Sequence, residues 1–125
     1  MSFLGLQAGT YPDCPFCQRV IHQDYVGRYG NVVWFEPLNP VSAGHMLFVP
    51  TRHATNAAID PQGAAEAMEA AAIYVRDLYG SGINANLITS IGPAATQSIW
   101  HTHVHVVPRH EGDGLHLPWT GQVKS

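Results

Sequence analysis

The residues best able to do chemistry are three imidazoles at alternate positions, in Trp100-His101-Thr102-His103-Val104-His105-Val106-Val107-Pro108. Side chains on a β-strand alternate between faces, so His101, His103 and His105 would share one face and Thr102, Val104 and Val106 the other. Such a row has no packing rationale and suits two chemistries. Two or three imidazoles can ligate zinc, as in catalytic three-histidine sites. Alternatively, one imidazole is a nucleophile and its neighbours hold a polyanion. Just upstream, Gly92-Pro93-Ala94-Ala95-Thr96-Gln97-Ser98-Ile99-Trp100 is a turn ending in an amide and a hydroxyl, able to present N–H groups to a phosphate.

A second constellation is Cys14-Pro15-Phe16-Cys17, which fits a zinc knuckle or a redox pair. The redox reading wants a strand-to-helix junction in a βαβ unit, whereas this pair lies in a proline-rich first stretch that reads as irregular. A closed zinc site takes four ligands, and a Cys₂His₂ set would serve. A bridge between the two cysteines would close a tiny loop and stabilise little. Met1-Ser2-Phe3-Leu4-Gly5-Leu6 has no basic leader and no sustained apolar stretch, which predicts a cytoplasmic protein with reduced thiols.

These groups must be held by a small scaffold. The 125 residues predict a single domain, 1–125, with its core over 14–110 and a C-terminal tail over 109–125. The chain is 46% hydrophobic and only 12% charged, which excludes disorder and a coiled coil. Six Lys+Arg against nine Asp+Glu give a net charge of −3, and Lys124 is the only lysine. No basic patch can be assembled from these, so a nucleic-acid partner is not expected. Apolar runs such as Met46-Leu47-Phe48-Val49 are far too short for a membrane span. Eight histidines are the compositional anomaly.

The spacing predicts a helical turn at 19–23 and a hairpin of strands 25–29 and 31–36 about Gly30-Asn31. A strand over 45–49 stops at Pro50. A long helix over 61–79 has Asp60 as N-cap, Pro61 at its first position and Gly80 as its stop. Ala65, Met68, Ala72, Val75 and Tyr79 form its expected buried stripe. Strands over 84–91 and 101–107 complete an α+β fold, about five antiparallel strands with one long helix packed on them.

Taken with Leu38-Asn39-Pro40-Val41-Ser42-Ala43-Gly44-His45-Met46-Leu47-Phe48-Val49-Pro50 and Arg52-His53, the triad and its loop resemble the histidine-triad (HIT) superfamily of nucleotide hydrolases and transferases, of bacterial zinc-knuckle type. The resemblance covers roughly residues 14–110. It implies the HIT-like fold, with the sheet continued across a homodimer. It implies a purine nucleotide as ligand, either a dinucleoside polyphosphate or a nucleoside phosphoramidate. His103 would attack the α-phosphorus, its tautomer fixed by a backbone carbonyl, while His105, Gln97 and Ser98 hold the non-bridging oxygens. Water would then hydrolyse the nucleotidyl-histidine, with no catalytic metal required.

The resemblance further assigns Cys14, Cys17, His53 and His101 to a structural Zn²⁺. Asn39, or else Glu36, would meet the ribose, and His45 would support the triad. Ser90 stands where some branches carry an Asn or Gln facing the scissile bond, and Thr96 where a glycine commonly precedes Gln97. Val20, Ile21, Trp34 and Leu47 would line a base slot or simply pack. His22, His110 and His116 read as surface residues. The tail, with Gly112, Gly114, Pro118 and Trp119, would tune specificity. Two other readings stand beside this one. In the first, which Ser90 keeps open, the fold is a non-catalytic nucleotide- or partner-binding module. In the second, all three triad histidines bind a hydrolytic zinc.

Overall fold

The computed structural model describes residues 11–118; Trp119 and the Met1–Leu6 start lie outside the described residues. The first element, α1 (Pro15–Ile21), begins earlier than the helical turn expected at 19–23. Proline is a starter rather than a breaker at the first helical position. The Cys14 sulfur caps it, accepting the Cys17 N–H at 3.3 Å. The cysteine pair therefore opens a helix instead of lying in an irregular knuckle.

The hairpin is as expected, though shorter. β1 (Gly27–Tyr29) and β2 (Val32–Phe35) face each other across Gly30-Asn31, with Gly30 at φ +58°. Then come β3 (Met46–Pro50), α2 (Pro61–Tyr79), β4 (Ala85–Ile88) and β5 (Val104–Pro108). Every strand pairing is antiparallel, in the order β1-β2-β3-β5-β4. Thus α2 carries the chain between two parallel strands, β3 and β4, and β5 inserts between them. Among the described residues no helix is long and apolar enough to cross a membrane.

Helix α2 keeps its expected ends. The Asp60 carboxylate accepts the Gly63 N–H at 3.1 Å, and Gly80 closes the helix at φ 77°. Its buried face differs from the predicted stripe. Gly63, Ala67, Ala70 and Ala71 are buried, while Ala65 and Ala72 are exposed. Six alanines between positions 64 and 72 fit the helical period in more than one phase, so the sequence marks the face poorly. The small face lets α2 lie close on Val32, Phe48, Val104 and Val106, with Tyr74 and Val75 alongside.

The opposite face of the sheet carries a second core of Val33, Phe35, Leu47 and Val49, packed against Phe16 and Cys17 from the α1 segment. Trp34 belongs with α2, stacked on Phe48 at 5.0 Å and near Tyr74, so it cannot line a slot beside α1. Val20 and Leu47 do pack on the α1 side, and Ile21 is half exposed.

Strand β5 begins at Val104, three residues later than the 101–107 strand expected. Pro50 has no N–H with which to extend the β3 ladder past Phe48 opposite Val104. The chain leaves the sheet there, and Thr102 N–H donates to the Ala54 carbonyl at 2.9 Å. Two of the three triad histidines therefore sit on irregular backbone.

Candidate functional site

The three imidazoles lie on one side of the β5 approach, but each is held differently. His101 is fully buried and its Nε2–H donates to the Pro50 carbonyl at 2.8 Å. The Nδ1–H of His103 donates to the His101 carbonyl at 2.6 Å. His45 accepts the Val41 N–H on Nδ1 at 3.1 Å, so its Nε2–H points to Nδ1 of His105, 3.0 Å away. Backbone groups thus set the tautomers of His101, His103 and His45, and His45 in turn sets that of His105. His103 keeps a bare Nε2, and His105 keeps an Nε2–H to donate. The two rings are 5.0 Å apart.

Burial holds these imidazoles neutral. It is the main cause that lowers His105 to about 4, with His103 and His45 adding to it. Desolvation likewise lowers His103 and His45, against a bond to the His101 carbonyl in the first case and the charge of Glu36 in the second. A neutral imidazole with one nitrogen bonded and the other bare is the form able to attack an electrophile. The rings of Phe16 and His103 meet at right angles with centroids 5.1 Å apart, a contact the sequence does not announce.

The backbone of His103 has its own tether. The β4 ladder ends with Ile88 opposite His105, and beyond it the Thr89 hydroxyl donates to the His103 carbonyl at 2.7 Å. Sequence reasoning passes over Thr89. Its signal is a hydroxyl one residue past the end of the strand that pairs with β5. Ser90 follows, half-buried.

In the loop over 92–100, the side chain of Gln97 is buried and committed to the loop itself. Its amide donates to the Thr55 and Ile99 carbonyls at 2.7 and 3.0 Å, and its oxygen accepts the Gly92 N–H at 2.9 Å. Gln97 therefore braces the loop, and Ser98, next in the chain, is exposed. Thr96 takes the left-handed conformation at φ 73°, where a glycine would be at ease. Asn39 lies exposed in the loop between β2 and β3, apart from the histidine cluster's hydrogen bonds. His22, His110 and His116 are exposed, as expected.

Cys14, Cys17, His53 and His101 bring four buried ligand atoms within 4.8 Å of one another, a set that could hold a metal ion. Nδ1 of His101 lies 3.3 Å from the Cys14 sulfur and 3.5 Å from that of Cys17, and Nδ1 of His53 lies 3.3 Å from Cys17. Because the His101 Nε2–H serves Pro50, its Nδ1 is left unprotonated toward the sulfurs. His103 and His105 are not part of this group, which separates the triad into one candidate ligand and two imidazoles held outside the cluster. Burial pushes the Cys17 thiol up to about 12, opposite to the activation a redox cysteine needs.

The HIT domain family model matches residues 18–112. The chain is 30% identical over 115 residues to "Protein hit" of Bacillus subtilis, covering 86% of this chain and 79% of that one. It is 35% identical over 80 residues to adenylylsulfatase HINT3 of Arabidopsis thaliana, a match that takes in 62% of this chain and only 41% of that protein. Among solved structures, a zinc-bound histidine triad family protein from Mycobacterium smegmatis superposes with a TM-score of 0.68. It is 28% identical, and the match covers 83% of this chain and 80% of that one. With its five-stranded antiparallel sheet, its single long helix and its His-x-His-x-His approach to β5, the chain belongs to the HIT domain family.

Proposed function

We propose that this protein is a nucleotide hydrolase or nucleotidyl transferase acting at the α-phosphate of a purine nucleotide, with the nucleotidyl group carried on His103. The nucleotide and its base come from the family resemblance. The observation that carries the reaction is the tautomer pair, a bare Nε2 on His103 beside an Nε2–H on His105.

The Nε2 lone pair of His103 forms the new bond to phosphorus, and the bond to the leaving group breaks with its electron pair. The imidazolium that results keeps its Nδ1–H on the His101 carbonyl, which favours the charged form. His105 Nε2–H and the Ser98 hydroxyl hold the non-bridging oxygens as charge develops. Gln97 acts by bracing the loop that presents Ser98. Water then attacks phosphorus, the bond to Nε2 breaks, and the imidazole recovers its pair while the water proton leaves to solvent. His45, Ser90 and Asn39 complete the nucleotide site, His45 by directing His105.

We assign Cys14, Cys17, His53 and His101 to a structural zinc. The sulfur-to-nitrogen separations match the roughly 3.3–3.8 Å between neighbouring ligands of a tetrahedral Cys₂His₂ site. A bound zinc would supply the charge that lets two buried thiols ionise. The four ligands come from the start of α1, the segment after β3 and the approach to β5, so the site fastens three segments together. A homodimer belongs to the same proposal, with the open edge of β4 the place where a second sheet could join.

Intact-mass spectrometry after an acid-free quench tests the reaction, with an adenosine phosphoramidate or a diadenosine polyphosphate as substrate. One nucleotidyl adduct is expected on the wild type and none on His103→Ala. No adduct and no product, with nucleotide still bound, would establish a binding module instead.

A further inference from the structure

Two of the four metal-ligand candidates face a cavity and two do not. Cys14 and His53 stand in the wall of a cavity of about 440 Å³, which Tyr11, Asp13 and Trp100 also line. Cys17 and His101 are fully buried. Among the described residues, the solvent-facing side of the cluster is thus the side of Cys14 and His53.

These two are not equally fastened. The Cys14 sulfur accepts the Cys17 N–H at 3.3 Å, and the Cys14 N–H donates to the Tyr11 carbonyl at 3.2 Å, so its place is built into the start of α1. His101 is anchored on its far nitrogen by the Pro50 carbonyl. His53 has no such anchor. Its Nδ1 is turned to the Cys17 sulfur, and among the described residues no group bonds its Nε2. No buried side-chain nitrogen or oxygen among them lacks a partner, so that Nε2 meets solvent in the cavity. Ring contacts hold it instead. Tyr11 is stacked on His53 with centroids 4.1 Å apart and planes 20° from parallel, and the His101 ring meets it edge-on at 5.1 Å. The charge of the cavity suits an entering cation, since Asp13 is exposed at its wall and no arginine or lysine lines it.

We propose that this cavity is the port through which the zinc exchanges, with His53 the ligand that lets go and Tyr11 the brake on it. The inference rests on the assignment of Cys14, Cys17, His53 and His101 to zinc, and not on the reaction at His103. His53 Nδ1 leaves with its electron pair as the ring swings toward the cavity, and a donor atom of the incoming ligand takes the place it vacates. Cys14, Cys17 and His101 keep the other three positions, so exchange proceeds by a local opening and not by unfolding. In the reverse direction the Asp13 carboxylate draws the hydrated cation to the cavity.

The test is the rate of zinc transfer from the zinc-loaded full chain to an excess of a chromogenic chelator, with urea unfolding rates measured alongside. Transfer from the wild type should outpace global unfolding extrapolated to water. Tyr11→Ala should speed transfer about three- to tenfold, the scale of one lost aromatic contact, and by more than it speeds unfolding. Tyr11→Phe keeps the stack and should retain the wild-type rate. Loading of the metal-free chain in the cold should slow about threefold in Asp13→Lys, and by less at high salt. Transfer no faster than unfolding, transfer equal in wild type and Tyr11→Ala, or loading indifferent to Asp13→Lys overturns the proposal. Failure of the underlying assignment is visible separately, as a wild-type chain that binds no zinc by elemental analysis, and it removes this inference as well.

Discussion

The His101 carbonyl and the His103 ring are joined by one hydrogen bond of 2.6 Å, while the ring of His101 turns the other way toward two sulfurs. One residue thus serves the candidate metal through its side chain and the candidate nucleophile through its main chain. The peptide that places one fixes the other.

His45 is the donor that decides which nitrogen of His105 carries its proton. His45→Phe keeps a ring but removes that bond, freeing His105 to present a bare nitrogen where the phosphate needs a donor. Adduct formation on His103 should slow about 10–100-fold, less than the roughly 100–1,000-fold for outright loss of one such donor, because His105 itself remains. A single-turnover rate within twofold of wild type would show that His45 only packs.

Thr89 should matter through the backbone of His103. Thr89→Val keeps the shape and leaves a carbonyl without its partner, at a cost of about 1 kcal/mol in urea unfolding. The single-turnover rate should fall several-fold, measured well below the melting temperature, and Thr89→Ser should restore it. Loss of stability with an unchanged rate would mean a structural role alone.

Metal removal should loosen the fold before it affects the chemistry. Elemental analysis should find one zinc per chain, lost in Cys17→Ser. Dialysis against a chelator should lower Tm by about 10 °C or more, since binding energy at such a site is folding energy. Adduct formation should survive in the cold for as long as the chain stays folded. Immediate abolition in a folded, metal-free protein would instead favour a metal that takes part in the reaction.

Acid should destabilise the protein earlier than its carboxylates require. His105 takes a proton near 6.5 when unfolded and only at about 4 when folded, because burial disfavours its charged form. The unfolded state therefore binds more protons between those values, and stability falls as pH drops from about 6.5 toward 4. Urea midpoints from pH 8 to pH 4 should show this slope, reduced in His105→Asn. A flat midpoint down to pH 4.5 would contradict it.

Much of this was legible in the residues. Asp60, Pro61 and Gly80 mark both ends of α2 by local chemistry alone, and Gly30-Asn31 marks the hairpin. The four metal-ligand candidates follow from the family pattern, and the structure brings them together. What the sequence hides depends on distant partners. The β5 strand starts late because Pro50, across the sheet, cannot extend the ladder. Gln97 looks like a phosphate donor until Thr55, 42 positions away, takes its amide. Thr89 is an ordinary hydroxyl until β4 is laid beside β5, and the alanines of α2 carry too little shape to say which side faces inward.

The order of the strands also has a consequence for the making of the protein. Ribosomal synthesis delivers β1, β2 and β3 first, then α2 and β4, yet the place between β3 and β4 belongs to β5, which emerges last. Until residue 108 has been translated, two strands have a vacancy between them and the helix covers an unfinished layer. Closure of the sheet by β5 and arrival of His103, the proposed nucleophile, therefore fall in the same late stretch of synthesis.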